Sequence, residues 1–163
     1  MTDHDSYSDA YIKDILKRVR TIAVVGASAN WNRPSYFAMK YLQKKGYRVI
    51  PVNPREAGGR ILGETVYAGL RDIPDKVDMV DCFRPSAAIP AIAEDAVAIG
   101  ADVLWMQLGI RNDEAARFAE RAGLTVVMDR CPKIEYGRLF GELGWSGIAT
   151  GVISSKRKKK VRP

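Results

Sequence analysis

Residues 21–35 read TIAVVGASANWNRPS, and this stretch decides the fold. Its first five residues form a short, largely apolar run, which predicts a buried strand. Gly26 follows, where a tight turn can bring the backbone close to a neighbouring group. Pro34 suits the first turn of a helix, which we predict to continue to Lys45. A strand, a glycine turn and a helix in this order are typical of a parallel α/β sheet.

Strands and helices keep alternating along the chain. Strands are predicted at residues 21–25, 47–52, 77–83, 102–106 and 124–128. Their near-continuous apolar composition indicates a parallel sheet that is covered on both faces. The clearest helix follows the fourth strand, with Asn112 as its predicted N-cap. We therefore predict the α/β class: a single Rossmann-like, doubly wound parallel sheet of five main strands, in the order 3-2-1-4-5, with helices on both faces.

Length and composition fit one globular domain. The chain has 163 residues, of which 47% are hydrophobic and 28% are charged. We predict a flexible N-terminus at 1–8, a folded domain at 9–145 and a basic C-terminal tail at 146–163. No apolar run approaches the roughly 20 residues that span a bilayer, and the polar first ten residues do not form a secretory signal. We therefore expect a cytoplasmic protein.

The formal net charge of +7 belongs to the C-terminus. The last eight residues hold six Lys and Arg, and the rest of the chain has 20 basic against 19 acidic residues. A domain with a basic binding face would keep its excess charge without the tail. Such tails are usually solvated, and weak, salt-sensitive contact of the tail with nucleic acid stays open.

The residue inventory argues against most catalytic centres. His4 is the single histidine and lies in the polar N-terminus, so an acid–base or nucleophilic triad lacks a base. Cys82 and Cys131 are too few for a disulfide framework and, with one histidine, too few for a structural zinc site. We assign no catalytic residue and no metal ligand, which leaves enzymatic activity open but favours its absence.

In sheets of this kind, ligands bind at the carboxyl ends of the strands, beside the first strand. The loop after the first strand offers the guanidinium of Arg33 and the hydroxyl groups of Ser28 and Ser35, all suited to phosphate oxygens. The helix that opens near Pro34 adds unpaired amides and the positive end of its dipole. Of the fingerprint G-x-G-x-x-G only the first glycine is present. The loop alone therefore predicts no more than a phosphate-containing ligand.

The end of the second strand narrows the ligand class. An NAD-binding unit normally has Asp or Glu here to hold the ribose 2′-hydroxyl. This chain has Asn53, Pro54 and Arg55 instead. A missing carboxylate beside an arginine argues against NAD and suits a ligand with an additional ribose phosphate. NADP and coenzyme A both qualify.

Motifs at all five strand ends point to one family. They are GAS at 26–28 with RPSY at 33–36, GY at 46–47 with PVNP at 51–54, VDCFR at 80–84, WMQLGI at 105–110 and VMDRCP at 127–132. On these residues the chain resembles the stand-alone CoA-binding domain proteins of bacteria and archaea, over roughly Ile12 to Leu139. It is also similar to the N-terminal, CoA-binding domain of the succinyl-CoA synthetase α subunit, whose phosphohistidine lies in a further domain.

The resemblance implies coenzyme A or acyl-coenzyme A as the cofactor, and a role for each motif. The pyrophosphate would be bound at the helix start marked by Pro34, by Gly26, Ala27, Ser28, Arg33 and Ser35. The adenosine and its 3′-phosphate would lie beside Asn53, Pro54 and Arg55. One side of the pocket would be closed by Phe83 and Arg84. The opposite side, or the pantetheine arm, would be flanked by Gln107 and Gly109.

The sequence therefore predicts a CoA-binding protein, a non-catalytic module that serves as a carrier, a sensor or a partner subunit. An NADP-dependent oxidoreductase or redox regulator that uses the same pocket stays open as the alternative. Nucleic-acid association through the tail is the second alternative. Cys131 precedes Pro132 at a predicted helix start, where a thiolate could form a mixed disulfide with the CoA thiol. A small buried cysteine is the other interpretation.

Overall fold

The computed structural model describes residues 2–141, so the predicted basic tail at 146–163 lies outside the described residues. The chain forms two compact units. Of the described residues, one unit holds 2–5 with 18–130, and the other holds 6–17 with 131–141. The helices and strands are, in chain order, α1 (Asp9–Arg18), β1 (Thr21–Val25), α2 (Pro34–Lys44), β2 (Arg48–Val52), β3 (Arg60–Ile61), β4 (Glu64–Thr65), β5 (Met79–Cys82), α3 (Ile89–Ala98), β6 (Val103–Met106), α4 (Asp113–Arg121), β7 (Thr125–Val127) and α5 (Pro132–Leu139).

Five parallel strands form the central sheet, in the order β2-β1-β5-β6-β7. The predicted α/β class and the five main strands are confirmed. The order within the sheet differs from the prediction, because the third predicted strand, β5, pairs with β1 instead of lying beyond β2. If the five main strands are numbered 1 to 5 along the chain, as in the prediction, the observed order is 2-1-3-4-5. Right-handed crossovers are compatible with both orders, so the alternation of elements does not distinguish them.

Helices pack on both faces of the sheet. Alternate strand residues join α3 and α4 in one apolar cluster, which includes Ala23, Val80, Leu104, Val126, Ala93 and Ala115. The helix α2 packs against β2, and its buried residues Ala38, Met39 and Leu42 lie outside that cluster. Because successive strand residues point to opposite faces, this division places α2 on the other face.

Two helix starts agree with their sequence signals. Asn112 is the N-cap of α4, where its side-chain oxygen accepts a hydrogen bond from the amide of Ala115 at 2.9 Å. Pro132 is the first residue of α5, as predicted.

Among the described residues, no helix combines the length and the apolar composition that crossing a membrane requires.

The segment between β2 and β5 covers the edge of the sheet. It contains a small antiparallel hairpin of β3 and β4 and then returns alongside β2. The carbonyl oxygen of Tyr67 accepts a hydrogen bond from the amide of Asn53 at 2.9 Å, and the amide of Tyr67 donates to the carbonyl oxygen of Pro51 at 3.1 Å. These bonds satisfy the backbone of an edge strand that would otherwise be open.

The stretch 1–8, for which the sequence predicts flexibility, includes a residue with tertiary partners. His4 is buried, and its Nε2 atom lies 3.2 Å from a carboxylate oxygen of Glu120. Arg111 forms an ion pair with Asp5 at 3.1 Å and donates to the carbonyl oxygen of His4 at 3.3 Å. The single histidine is therefore engaged with α4.

Candidate functional site

A cleft of about 1040 Å³ opens at the carboxyl ends of β1, β2 and β5. This is the position at which doubly wound sheets bind ligands. Its lining brings together most of the predicted site residues, namely Gly26, Ala27, Ser28, Arg33, Pro34, Ser35, Asn53, Pro54, Arg55, Phe83 and Arg84. Gln107 and Gly109 are not among the lining residues.

Gly26 brings the β1 loop into contact with the end of β5. Its φ angle is +93°, in the region that favours glycine. A Cβ atom at this position would lie 2.7 Å from the carbonyl oxygen of Phe83 and 3.2 Å from the Cβ atom of Phe83. No side chain fits there without moving the backbone of Phe83. The glycine therefore sets the width of the cleft between these two strand ends.

The backbone donors of the β1 loop differ from those implied by the family resemblance. The amides of Gly26 and Ala27 both donate to the carbonyl of Val52, at 3.0 and 3.3 Å. They are therefore committed within the protein and not free to bind a pyrophosphate. The amides of Ser28 and Ser35, by contrast, have no hydrogen-bond partner within the part of the chain that the structure describes. Both residues line the cleft.

Asn53 joins the loops that follow β1 and β2. Its Nδ2 group donates to the carbonyl of Ala27 at 2.8 Å, and its Oδ1 atom accepts from the amide of Arg55 at 2.9 Å. A carboxylate at position 53 would place an acceptor against the Ala27 carbonyl. The structure of the two loops is therefore a reason for an asparagine at position 53, in addition to the preference against NAD that its place after the second strand suggests.

Three arginines at the cleft have unpaired guanidinium groups. Arg33, Arg55 and Arg84 are exposed, and none of their guanidinium groups has a hydrogen bond or ion pair within residues 2–141. By contrast, Arg48 pairs with Asp75 at 2.8 Å, and Arg71 pairs with Asp95 of the cleft lining at 2.8 Å. The lining carries one further carboxylate, on Glu56, so the three unpaired guanidinium groups leave an excess of positive charge that suits a ligand with several phosphate groups.

A second group of lining residues is not predicted from the sequence. One stripe along α3 and the turn before it lines the cleft with Ala88, Ala91, Ile92 and Asp95. These residues follow the i, i+3, i+4, i+7 spacing of one helix face. Ala68, Gly69 and Leu70 also belong to the lining. The signal was present in the sequence, but an apolar stripe at helical spacing is typical of a core-facing helix and gives no sign of a cleft.

The ends of β6 and β7 are joined to each other. The amide of Gly109 donates to a carboxylate oxygen of Asp129 at 2.7 Å, and Asp129 adopts a φ angle of +59°. Gln107 is buried, and its Oε1 atom has no hydrogen-bond partner among the described residues. The indole of Trp105 donates to the carbonyl of Arg130 at 2.8 Å.

Buried acidic and thiol groups lie on β5. Asp81 is completely buried and neither carboxylate oxygen has a partner in the described chain, so burial raises the pKa of Asp81 well above its usual range. Burial and the nearby Asp81 also raise the pKa of the Cys82 thiol.

Cys82 and Cys131 are both free thiols. Within residues 2–141, no cluster of three or more His, Cys, Asp or Glu side chains is placed to hold a metal ion.

Comparison with known proteins gives a family match and a bacterial relative. A family model described as a CoA binding domain matches residues 20–137. The protein YneT of Bacillus subtilis (strain 168) is 40% identical over 129 residues, which are 79% of this chain and 94% of YneT.

Two further similarities extend the comparison to archaeal proteins. The alpha subunit of ADP-forming acetate–CoA ligase I from Pyrococcus furiosus is 34% identical over 89 residues, which are 52% of this chain but only 19% of that subunit. A solved structure of a protein from Pyrococcus horikoshii OT3 is 40% identical with a TM-score of 0.79, over 86% of this chain and 98% of that one. The similarity to the ligase therefore concerns a small part of a much longer protein.

Proposed function

Because the chain belongs to the family of CoA-binding domains, we propose that its cleft binds coenzyme A and that the chain acts as a binding module without catalysis of its own. The observation that carries the proposal is the set of three unpaired guanidinium groups, on Arg33, Arg55 and Arg84, around one cleft. Coenzyme A carries a pyrophosphate and a ribose 3′-phosphate, so it offers phosphate oxygens at two separate positions.

The proposed assignment follows the cleft from β1 to β2. The pyrophosphate binds the free amide of Ser28, in the loop after β1, and that of Ser35, at the start of α2, where the helix dipole favours an anion. Arg33 and Arg84 lie beside it. The 3′-phosphate binds Arg55, which follows β2. Gly26 acts by leaving room at the cleft floor, since its amide is bonded to Val52.

The absence of catalysis in this proposal rests on the chemistry of the lining. The cleft residues include no histidine or cysteine, and their two carboxylates are Glu56 and Asp95. We therefore propose a carrier, a sensor or the partner subunit of another protein, for free or acylated coenzyme A. The proposal includes a cytoplasmic location, where the two free cysteines would stay reduced.

Calorimetric titration with coenzyme A, dephospho-coenzyme A and NADPH tests the ligand. We expect coenzyme A to bind about ten- to a hundred-fold more tightly than the dephospho form, because a charge-assisted hydrogen bond to phosphate is worth about 1.5–3 kcal/mol. No binding of coenzyme A would refute the proposal. Tighter binding of NADPH than of coenzyme A would favour the oxidoreductase alternative instead.

Substitution of the arginines tests the site. Arg33→Gln, Arg55→Gln and Arg84→Gln should each weaken the binding of coenzyme A, and Arg55→Gln should also remove the preference over the dephospho form. Arg117→Gln on α4 is the matched control, since Arg117 is also exposed and unpaired among the described residues but lies outside the cleft. An equal loss of affinity in the control would mean that the arginines act only through net charge.

A further inference from the structure

The part of the cleft lined by α3 and Leu70 has a chemistry that phosphate groups do not explain. Asp95 lines it, and a carboxylate repels phosphate. The other lining residues here are small or apolar, namely Ala88, Ala91, Ile92 and Leu70. From Ala88 to Asp95 the stripe extends roughly 10 Å along the helix axis. This part of the cleft, the α3 slot, is therefore apolar and carries one hydrogen-bond acceptor.

One oxygen of the Asp95 carboxylate is paired within the protein. The guanidinium of Arg71 donates from Nε to Oδ1 of Asp95 at 2.8 Å. The other oxygen, Oδ2, has no hydrogen-bond partner within residues 2–141. The side chain of Asp95 is 39% exposed and lines the cleft. One carboxylate oxygen is thus fixed by the protein, and the second remains available to a donor group of a ligand.

Glu56 is the other carboxylate of the cleft, and its situation is different. Its Oε2 atom lies 3.5 Å from Nδ2 of Asn53, beside the end of β2. Glu56 therefore adds its negative charge beside the end of β2, next to Arg55 in the chain.

We propose that Asp95 is a specificity-determining residue that recognises the exocyclic amino group of an adenine base bound in this slot. Adenine is flat, and its 6-amino group is a hydrogen-bond donor that matches the free oxygen of Asp95. When the ribose and the phosphates hold the base in the same position, hypoxanthine presents a carbonyl oxygen where adenine presents its 6-amino group, and two acceptors facing each other repel. The slot should therefore discriminate between adenine and hypoxanthine. This inference rests on the proposed function, because it concerns the base of the same ligand.

Calorimetry with coenzyme A and its deaminated analogue, in which hypoxanthine replaces adenine, tests the inference. The two ligands differ at the 6-position of the base and the adjacent ring nitrogen, and they have identical phosphates and pantetheine arms. We expect the unsubstituted protein to bind coenzyme A about ten- to a hundred-fold more tightly than the analogue, as expected for one charge-assisted hydrogen bond.

Two substitutions at position 95 make the test specific. Asp95→Ala should bring the two affinities within about twofold of each other, because neither attraction nor repulsion remains. Asp95→Asn keeps the shape but adds an amide donor, so it should bind the analogue more tightly than Asp95→Ala does. Glu94→Ala, on the exposed side of the same helix, is the control and should keep the full preference for coenzyme A.

The outcomes separate the inference from the proposed function. Equal affinity of the unsubstituted protein for both ligands, or a preference that persists in Asp95→Ala, would overturn the role of Asp95 and leave coenzyme A binding intact. Failure to bind either ligand would overturn both. Loss of binding in Asp95→Ala through misfolding would be visible in its circular dichroism spectrum, and the shift in preference of Asp95→Asn then decides the question.

Discussion

The loops at the carboxyl edge of the sheet fall into two regions that use their polar groups in different ways. In the first region, after β1, β2 and β5, backbone groups and Asn53 hold the loops together and leave three arginine side chains unpaired. In the second, after β6 and β7, Asp129 and the carbonyl of Arg130 bond to neighbouring groups of the same region. Both regions follow strands of one sheet. A residue's place after a strand brings it to the edge, but its hydrogen-bond partners decide whether it can bind a ligand.

The largest expected effect comes from closing the first region at its narrowest point. Gly26→Ala places a Cβ atom 2.7 Å from the Phe83 carbonyl oxygen, at a φ angle of +93°. We expect a loss of about 2–4 kcal/mol in the free energy of unfolding and a more than hundred-fold loss of coenzyme A affinity. Urea denaturation and calorimetry measure the two quantities. Unchanged binding would show that Gly26 does not define the cleft.

Gly46→Ala is the matched control for this substitution. Gly46 has a φ angle of +99°, but no heavy atom lies within 4 Å of the position that its Cβ would occupy. It therefore has the same backbone strain without the collision. We expect a stability loss of about 1–2 kcal/mol and unchanged coenzyme A affinity. The difference in stability loss between the two variants measures the energetic cost of the collision between the Cβ atom at position 26 and Phe83.

Asn53→Asp tests what holds the first region together. The substitution replaces the Nδ2 donor to Ala27 by a carboxylate oxygen, so a 2.8 Å hydrogen bond becomes a repulsive contact. We expect a loss of about 1–3 kcal/mol in the free energy of unfolding, together with weaker coenzyme A binding. Asn30→Asp is the control, because Oδ1 of Asn30 accepts from the Asn32 amide and a carboxylate oxygen can do the same. Equal stability of both variants would contradict the role of Asn53.

In the sheet β5 lies between β1 and β6, and the buried Asp81 on that strand predicts a pH dependence. Burial raises the pKa of Asp81, so the folded state favours the protonated acid. Its contribution is complete below the pKa of an unfolded aspartate, about 3.9, and is lost as the pH rises from there towards the raised pKa. The expected loss is about 1.4 kcal/mol per pH unit within that window.

Asp81→Asn removes the titrating group and should remove this slope. Urea unfolding between about pH 4 and pH 8 would show a variant whose stability relative to the unsubstituted protein rises with pH. Infrared spectroscopy gives an independent reading, since the band of a protonated carboxyl group at neutral pH should be absent from the variant. Parallel stability curves for the two proteins would mean that Asp81 is ionised in the fold.

The sequence predicted the elements better than their arrangement. Buried apolar runs and the turn residues Gly26 and Pro34 report local structure, so the five main strands and the helix starts follow from them directly. The place of β5 beside β1 depends on how one long connection crosses the sheet, and the same run of residues is compatible with either order. The pairing of Tyr67 with the edge of β2 is likewise a long-range result.

The candidate site was predictable where strand ends carry distinctive side chains, and less so elsewhere. Arg33, Arg55 and Arg84 stand out because they follow strands and the residue type suits phosphate. The commitment of the Gly26 and Ala27 amides to Val52 depends on the neighbouring strand, so the sequence could not show it. Asp95 was missed because it lies on a helix whose other inward residues are typical of a core.

The smallest expected effect tests the boundary between the two regions. The family resemblance implies that Gln107 flanks the cofactor. In the structure Gln107 does not line the cleft, and its buried Oε1 atom has no hydrogen-bond partner in the described chain. Removal of an unsatisfied buried acceptor is nearly neutral for stability. We therefore expect Gln107→Leu to change the affinity for coenzyme A by less than about twofold. Adenosine 3′,5′-bisphosphate, which lacks the pantetheine arm, serves as the matched ligand in the same calorimetric titration. If the variant bound coenzyme A tenfold more weakly and the bisphosphate equally well, the pantetheine arm would reach β6, and the two regions would form one site.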